Sequence, residues 1–233
     1  ILSRVANLVV PGVSTYSFSG VINPSQANKS TFVRVANYAS SDATGARIDE
    51  GGLAFSTSNP LNVEAAIPPA LTLCAGITVA VDCSSSSGTV IDFGDLSSST
   101  TGRASSQFAI SSNDDSGYNA YIMGSTMTSG VNQIPPVTTQ TVSTTGSGQF
   151  GINLVANTNP AIGEPLNGPG TGMVNTNYDD SNLFKFTSGD VVASSIFSTD
   201  FNRFTLTYIV NVANNQPEGI YTTTMTILAV ANF

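Results

Sequence analysis

The chain has 233 residues, of which 40% are hydrophobic and only 9% carry a charge, whereas about a quarter is typical of a globular domain. Seven basic and fifteen acidic side chains give a formal net charge of −8, which repels phosphate, so we predict no nucleic-acid partner. No apolar run reaches the roughly 18 residues of a membrane span, so we predict no membrane insertion. Because residue 1 is Ile, we expect a processed or trimmed chain.

The N-terminal segment Ile1–Val10 is apolar and is followed by Pro11 and Gly12. In a strand, alternate side chains point to opposite faces. One face would carry Leu2, Ala6, Leu8 and Val10, and the other Ile1, Val5 and Val9. We predict a donor strand that completes the β-sandwich of a neighbouring subunit, with Pro11 and Gly12 as the hinge. The alternative is that the segment folds back as the first strand of its own sheet.

The rest of the chain shows short β-type runs separated by turn residues. These runs recur every 10–15 residues or so, which is typical of a sandwich or jelly roll, and Thr89–Phe93 is one of them. No stretch has a convincing helical period. We therefore predict an all-β fold, an antiparallel β-sandwich or jelly roll with an N-terminal extension strand. Residues 1–12 would be the extension and 13–233 a single domain, with a possible sub-boundary near Ile67-Pro68-Pro69.

The two cysteines, Cys74 and Cys83, lie nine positions apart. A chain this poor in charge and rich in Ser and Thr is typical of an oxidising compartment, so we predict a disulfide between them. Closing so short a loop contributes roughly 2–3 kcal/mol in the chain-entropy model. The alternative is a pair of free thiols in the core of a cytosolic protein.

The last third of the chain begins with a long segment, Asn157–Asp180, that is rich in Asn, Pro and Gly. A loop of this length is often functional or interfacial. Phe204–Phe233 then predicts two long strands joined by a tight turn at Asn214–Gly219. Alternation in the first strand predicts one face on the core and one towards water. The second contains no Pro or Gly after Gly219, which predicts a central strand.

Several motifs in this order carry a family resemblance. They are Ile67–Val79, Ile91–Leu96, Gln107–Tyr118, Gln149–Leu154 and Gly219–Thr226. Together they resemble uncharacterised secreted β-proteins of ultrasmall candidate-phylum bacteria (Saccharibacteria and relatives), over about residues 67–233. The resemblance implies secretion and a cell-surface location. It carries no established activity, so it assigns no functional residues.

Candidate catalytic residues are few because the sequence has no histidine. This removes Ser-His-Asp and Cys-His catalysis and the usual zinc triads. Two carboxylates could act as in a glycosidase, and the candidates would be Asp92 with Asp95 or Asp179 with Asp180. Adjacent acids in turns are usually solvated loop residues. We therefore predict that the protein is not an enzyme.

Candidate ligand sites are equally weak. Asn113-Asp114-Asp115 and Asp179-Asp180 could offer oxygen ligands to Ca²⁺, but neither matches a loop with ligands at every second position and a closing Glu. Asx turns explain both segments as well, so we predict no metal and no cofactor. Lys185 raises the idea of a pilin-like isopeptide bond, although a strand lysine that points to solvent is the simpler interpretation.

These observations predict a secreted structural subunit that self-assembles by strand donation into an extracellular filament or pilus. Its main partner would be copies of itself, with a host-cell surface as a second partner. The alternative is a monomeric cell-surface adhesin or carbohydrate-binding β-sandwich module. Clustered exposed aromatic residues would favour that alternative, but Trp is absent and the Tyr residues are scattered.

Overall fold

The computed structural model describes residues 1–3, 13, 15–22 and 24–232. It divides the chain into two compact units, Ile1–Ala66 and Ile67–Phe233. The division falls at the Ile67-Pro68-Pro69 segment, inside the range 13–233 that the sequence analysis assigned to one domain. All regular secondary structure in the described residues is β-strand, which confirms the all-β prediction.

The first unit contains an antiparallel hairpin of β1 (Ser30–Tyr38) and β2 (Arg47–Ser56). The sequence predicts a polar turn at Ser40–Gly52 and only a short strand at Leu53–Phe55, whereas β2 already begins at Arg47. The two strands form a sheet by themselves. None of the described residues of this unit is buried.

The second unit is an antiparallel β-sandwich. Its strands are β3 (Leu71–Gly76), β4 (Thr78–Val79), β5 (Ser86–Ser87), β6 (Gly102–Ser112), β7 (Tyr118–Gly124), β8 (Thr128–Ser129), β9 (Asn132–Gln133), β10 (Thr141–Val142), β11 (Gln149–Asn153), β12 (Asn157–Thr158), β13 (Ala161–Ile162), β14 (Met173–Val174), β15 (Leu183–Phe184), β16 (Val191–Ser195), β17 (Thr199–Asn211) and β18 (Met225–Ala231). One four-stranded sheet has the order β11-β17-β6-β3 and the other the order β14-β16-β7-β18. The remaining pairs form small two-stranded sheets.

The core lies between these two sheets and is rich in aromatic side chains. Phe108 of β6 and Phe204 of β17 stack with ring centroids 5.0 Å apart. Phe150 of β11 meets Phe186 edge to face at 5.1 Å. Ile122 of β7 and Val192 of β16 contribute from the opposite sheet and are fully buried. Alternate inward side chains of both sheets thus interdigitate, as in other sandwiches.

The C-terminal strands differ from the predicted hairpin. β17 and β18 lie in different sheets, and β18 is the edge strand of its sheet rather than a central strand. β18 pairs with β7, from Met225 opposite Gly124 to Ala231 opposite Tyr118. Residues 214–224 connect one sheet to the other. The turn residues Asn214–Gly219, which predict a hairpin, therefore belong to a connection between the two sheets.

β17 also differs from its prediction, because both of its faces are buried. The long segment between Asn157 and Asp180 lies against its outer face, where a Cβ at Gly163 would lie 2.5 Å from Oγ1 of Thr207, and it also pairs with the edge of β17. The backbones of Asn167 and Arg203 exchange two hydrogen bonds of 3.1 and 2.7 Å. A Cβ at Gly168, where φ is +127°, would lie 2.4 Å from the carbonyl oxygen of Phe201. The segment therefore packs closely on the sheet, and its glycines permit that approach.

Candidate functional site

The predicted disulfide is confirmed. Cys74 on β3 bonds to Cys83 in the turn between β4 and β5, with the Cα atoms 5.8 Å apart. In that turn, the Ser84 hydroxyl and backbone N–H bond to the Asp82 carboxylate and hold the pKa of Asp82 below its usual value. The bridge thus fixes the β4–β5 turn to β3, next to the point where β3 ends.

The predicted donor segment falls mostly outside the described residues. Val5, Ala6, Leu8, Val9 and Val10 lie outside them, as do the hinge residues Pro11 and Gly12. Ile1 and Leu2 are described, and they are 95% and 73% exposed. Neither residue is packed into a core in the described chain.

The hairpin of the first unit has an uncovered apolar face that sequence reasoning missed. The register places Val33 opposite Leu53 and Thr31 opposite Phe55. Because opposite residues point to the same side of a sheet, one face carries Val33, Val35, Leu53 and Phe55. Their exposed fractions lie between 38% and 59%. The missed signal was the alternation Val33-Arg34-Val35 together with Leu53-Ala54-Phe55.

The second unit contains an apolar cleft of about 490 Å³ on one side of the sandwich. It lies between the end of β3 and the start of β18. Its floor consists of Phe108, Phe150 and Tyr208, all from the four-stranded sheet that contains β6. Apolar side chains, including Ile77, Phe93 and Met225, form its walls. We refer to this feature as the aromatic-floored cleft.

An open strand edge runs beside the aromatic-floored cleft. β6 pairs with β3 only from Gln107 to Ser112, although β6 itself begins at Gly102. The N–H of Asn113 bonds to the carbonyl of Ala70, so the odd-numbered residues face β3. By the same alternation, the backbone groups of Arg103 and Ser105 point past the end of β3. Within the described part of the chain, no backbone hydrogen bond satisfies them on that side.

The segment Thr89–Phe93 passes this region but is not the strand that its sequence predicts. Ile91 and Phe93 are partly buried and pack against the core, while Val90 is 75% exposed. Its backbone forms no ladder with β6 or β18 in the described chain. The alternation of apolar and polar residues in Thr89–Phe93 thus reflects the burial of Ile91 and Phe93 and not pairing with another strand. The prediction of a strand here was therefore wrong.

Two of the acidic candidates of the sequence analysis accept hydrogen bonds within their own turns, and a third accepts one from a distant side chain. Asp92 accepts a hydrogen bond of 2.8 Å from the N–H of Gly94, and Asp114 accepts one of 2.8 Å from the N–H of Ser116. Asp180 accepts one of 2.9 Å from the side-chain amide of Gln140. Among the described residues, no three His, Cys, Asp or Glu side chains form a group that could hold a metal ion.

Lys185 does not point to solvent as predicted. Its Nζ lies 2.5 Å from Oδ2 of Asp190, and the hydroxyl of Tyr178 donates to the same oxygen at 2.8 Å. The ammonium also lies 5.4 Å from the Tyr178 ring centroid. Burial, together with the bond to Asp190, raises the pKa of Tyr178. This cluster ties the β15–β16 connection to the core.

A polar recess of about 350 Å³ lies on the outer face of β6 and β17. Its charged lining residues are Arg203 and Glu164, whose Nη2 and Oε2 atoms are 3.2 Å apart. Gln107 contributes a side-chain amide that bonds to Glu164 and to the N–H of Val79. The recess is shallow, and most of its polar groups already satisfy one another.

No family model, curated protein or solved structure matches the chain. In the described residues, no helix is long and apolar enough to cross a membrane. The candidate sites are therefore the uncovered hairpin face, the aromatic-floored cleft with its open edge, and the polar recess. The family resemblance stays a prediction.

Proposed function

We propose that the protein is a secreted structural subunit that self-assembles by strand donation into an extracellular filament or pilus. The observation that carries this proposal is the hairpin of the first unit. A two-stranded sheet is marginally stable at best in water. This one exposes Val33, Val35, Leu53 and Phe55 on one face, and its unit has no buried residue among those described.

Burial against another chain would stabilise such a sheet. The four side chains are about half exposed, so covering them contributes on the order of 3–6 kcal/mol. Both outer edges of the hairpin are also open to strand addition in the described residues. The apolar segment Ile1–Val10 belongs to the same unit and supplies a strand that can be given to a neighbour. Head-to-tail donation of this kind produces an open fibre.

Secretion is supported by the Cys74–Cys83 disulfide, because disulfides persist in oxidising compartments. The low content of charged residues and the abundance of Ser and Thr agree with an extracellular protein. A host-cell surface would then be a second partner of the assembled fibre.

The test compares the purified full chain with a variant that lacks residues 1–10. We expect the full chain to form filaments in negative-stain micrographs and large species by light scattering. The truncated chain keeps the core of the second unit, so we expect it to fold but not to polymerise. Normal filaments from the truncated chain would exclude donation by Ile1–Val10. A full chain that stays monomeric at high concentration would contradict self-assembly itself.

A monomeric adhesin or carbohydrate-binding module is the second candidate, and the polar recess at Arg203 and Glu164 favours it. Sugar sites commonly use an exposed aromatic platform, however. In the described part of the second unit, Phe197 is the only exposed aromatic side chain, and it does not line the recess. Glycan-array binding by a monomeric chain, lost in Arg203→Gln, would favour this candidate over self-assembly.

A further inference from the structure

We infer that the aromatic-floored cleft and the open edge of β6 form the acceptor for Ile1–Val10 of a second copy of this chain. This inference rests on the proposed function and specifies where the donated strand binds. It follows from the backbone, the shape of the cleft and the sequence of the donor segment.

The backbone at this position lacks one strand. β3 stops at Gly76, opposite Gln107, while β6 continues for five more residues to Gly102. The N–H and C=O groups of Arg103 and Ser105 face the space beyond β3 without a backbone partner in the described chain. A strand added in line with β3 would satisfy these groups, because unpaired edge groups are a template for strand addition.

The cleft beside this edge suits aliphatic side chains. Phe108, Phe150 and Tyr208 present ring surface at its floor. On one face of the donor strand, Ala6, Leu8 and Val10 follow one another at every second position, while Arg4 separates them from Leu2. A strand on the β6 edge would direct every second side chain into the core side of the sheet, where the cleft lies. The apolar run from Ala6 to Val10 therefore has the period of a strand paired with the β6 edge.

We assign the donor to another copy, and within the described residues the cleft is left open. All residues that line the cleft belong to the second unit. Leu2, which lies on the donor face, is 73% exposed. Ile91 and Phe93 partly close one wall, but they leave about 490 Å³ open. A second copy provides the missing strand, and its own cleft stays open for a third.

The test traps the donor on the acceptor with a disulfide in the full-length chain. The donor variants each carry one new cysteine, in place of Leu2, Ala6, Leu8 or Val10. Each donor variant is co-expressed with the acceptor variant Thr224→Cys, because Thr224 lines the cleft. A disulfide needs Cβ atoms about 3.5–4.5 Å apart, so trapping reports the register. The matched control acceptor is Thr226→Cys, which is exposed like Thr224 and lies two residues further along the chain but does not line the cleft. The competing acceptor is Leu53→Cys on the uncovered hairpin face.

We expect at least one donor variant to form a mixed dimer with Thr224→Cys in at least tenfold greater yield than with Thr226→Cys. We also expect Thr224→Arg to shorten the filaments, whereas Thr226→Arg leaves them unchanged. Preferential trapping at Leu53→Cys would overturn this acceptor and leave the proposed function intact. Filaments that form without any disulfide trapping at Thr224→Cys would also overturn this acceptor and leave the proposed function intact. A chain that is monomeric would overturn both the acceptor and the proposed function.

Discussion

The hydroxyl of Tyr208 on β17 lies 3.0 Å from the hydroxyl of Ser106 on the neighbouring β6. Tyr208 is only 5% exposed, and its ring forms part of the cleft floor. A hydrogen bond between two hydroxyl groups therefore lies at the base of the cleft. Because the Tyr208 hydroxyl can lose its proton, the stability of the sandwich depends on pH.

Stability should fall in alkaline solution because of Tyr208. Burial raises the pKa of Tyr208 to about 12, whereas the unfolded side chain titrates near 10. The unfolded state therefore loses its proton first, so this contribution is fully present below pH 10 and is lost between about pH 10 and 12. The two-unit difference corresponds to roughly 3 kcal/mol. Denaturant unfolding from pH 8 to 12 should show a shallower decline for Tyr208→Phe, and an unchanged slope would contradict the assignment.

Two buried tyrosines should respond in opposite ways to removal of the hydroxyl. Tyr118 is fully buried, and its hydroxyl has no hydrogen-bond partner in the described chain. Tyr118→Phe removes an unsatisfied polar group, so we expect a variant that is as stable as the parent or up to about 1 kcal/mol more stable. Tyr178→Phe breaks the bond to the Asp190 carboxylate and should cost about 1–3 kcal/mol. Thermal unfolding of the two variants at pH 7 tests this difference. An equal loss of stability in both variants would contradict the prediction.

The disulfide should stabilise the second unit without being required for its fold. A double variant, Cys74→Ala with Cys83→Ala, loses a bridge that spans nine positions. We expect a loss of roughly 2.5 kcal/mol in the free energy of unfolding, mostly from the greater entropy of the unfolded chain. Circular dichroism should still report a β-fold. If the free energy of unfolding of the oxidised parent equals that of the double variant, the bridge is energetically neutral.

The uncovered hairpin face should drive association. Leu53→Asp places a charge among Val33, Val35 and Phe55, and we expect the association constant to fall at least tenfold because an unpaired charge is costly to bury. Val131→Asp is the matched control, since Val131 is 99% exposed outside this hairpin. Sedimentation velocity over a concentration series gives both constants. Equal constants for the two variants would exclude this face as an interface.

The sequence predicts local features of the fold better than its topology. The run Asn119–Met127 predicts β7, in which alternate side chains are buried, and the run Gln107–Ser111 predicts β6, in which neighbouring side chains are buried on both faces. The predicted hairpin of β17 and β18 was wrong, since Asn214–Gly219 has the chemistry of a turn whether it joins neighbours or crosses between sheets. Which strands pair depends on contacts between distant residues, and no local pattern reports them.

The candidate site shows the same limit. The Cys74–Cys83 pair is predictable because the chain contains two cysteines and their spacing is short. The aromatic-floored cleft is not, because Phe108, Phe150 and Tyr208 are far apart in sequence and come together only through the sheet order. The open edge at Arg103 and Ser105 depends on where β3 stops, which its sequence does not mark. The uncovered hairpin face could have been found from the paired alternation of its two strands.

The placement of basic residues has a consequence for digestion. In the second unit, Arg103 and Arg203 lie within β6 and β17, and the backbone of Lys185 exchanges two hydrogen bonds with Ile152. Trypsin-like proteases need a basic residue on a segment that can open locally, and strands packed on a buried core resist such opening. The remaining basic residues are Arg4, Lys29, Arg34 and Arg47, all in the first unit, where none of the described residues is buried. Trypsin should therefore trim a free chain to residues 48–233 and then stop.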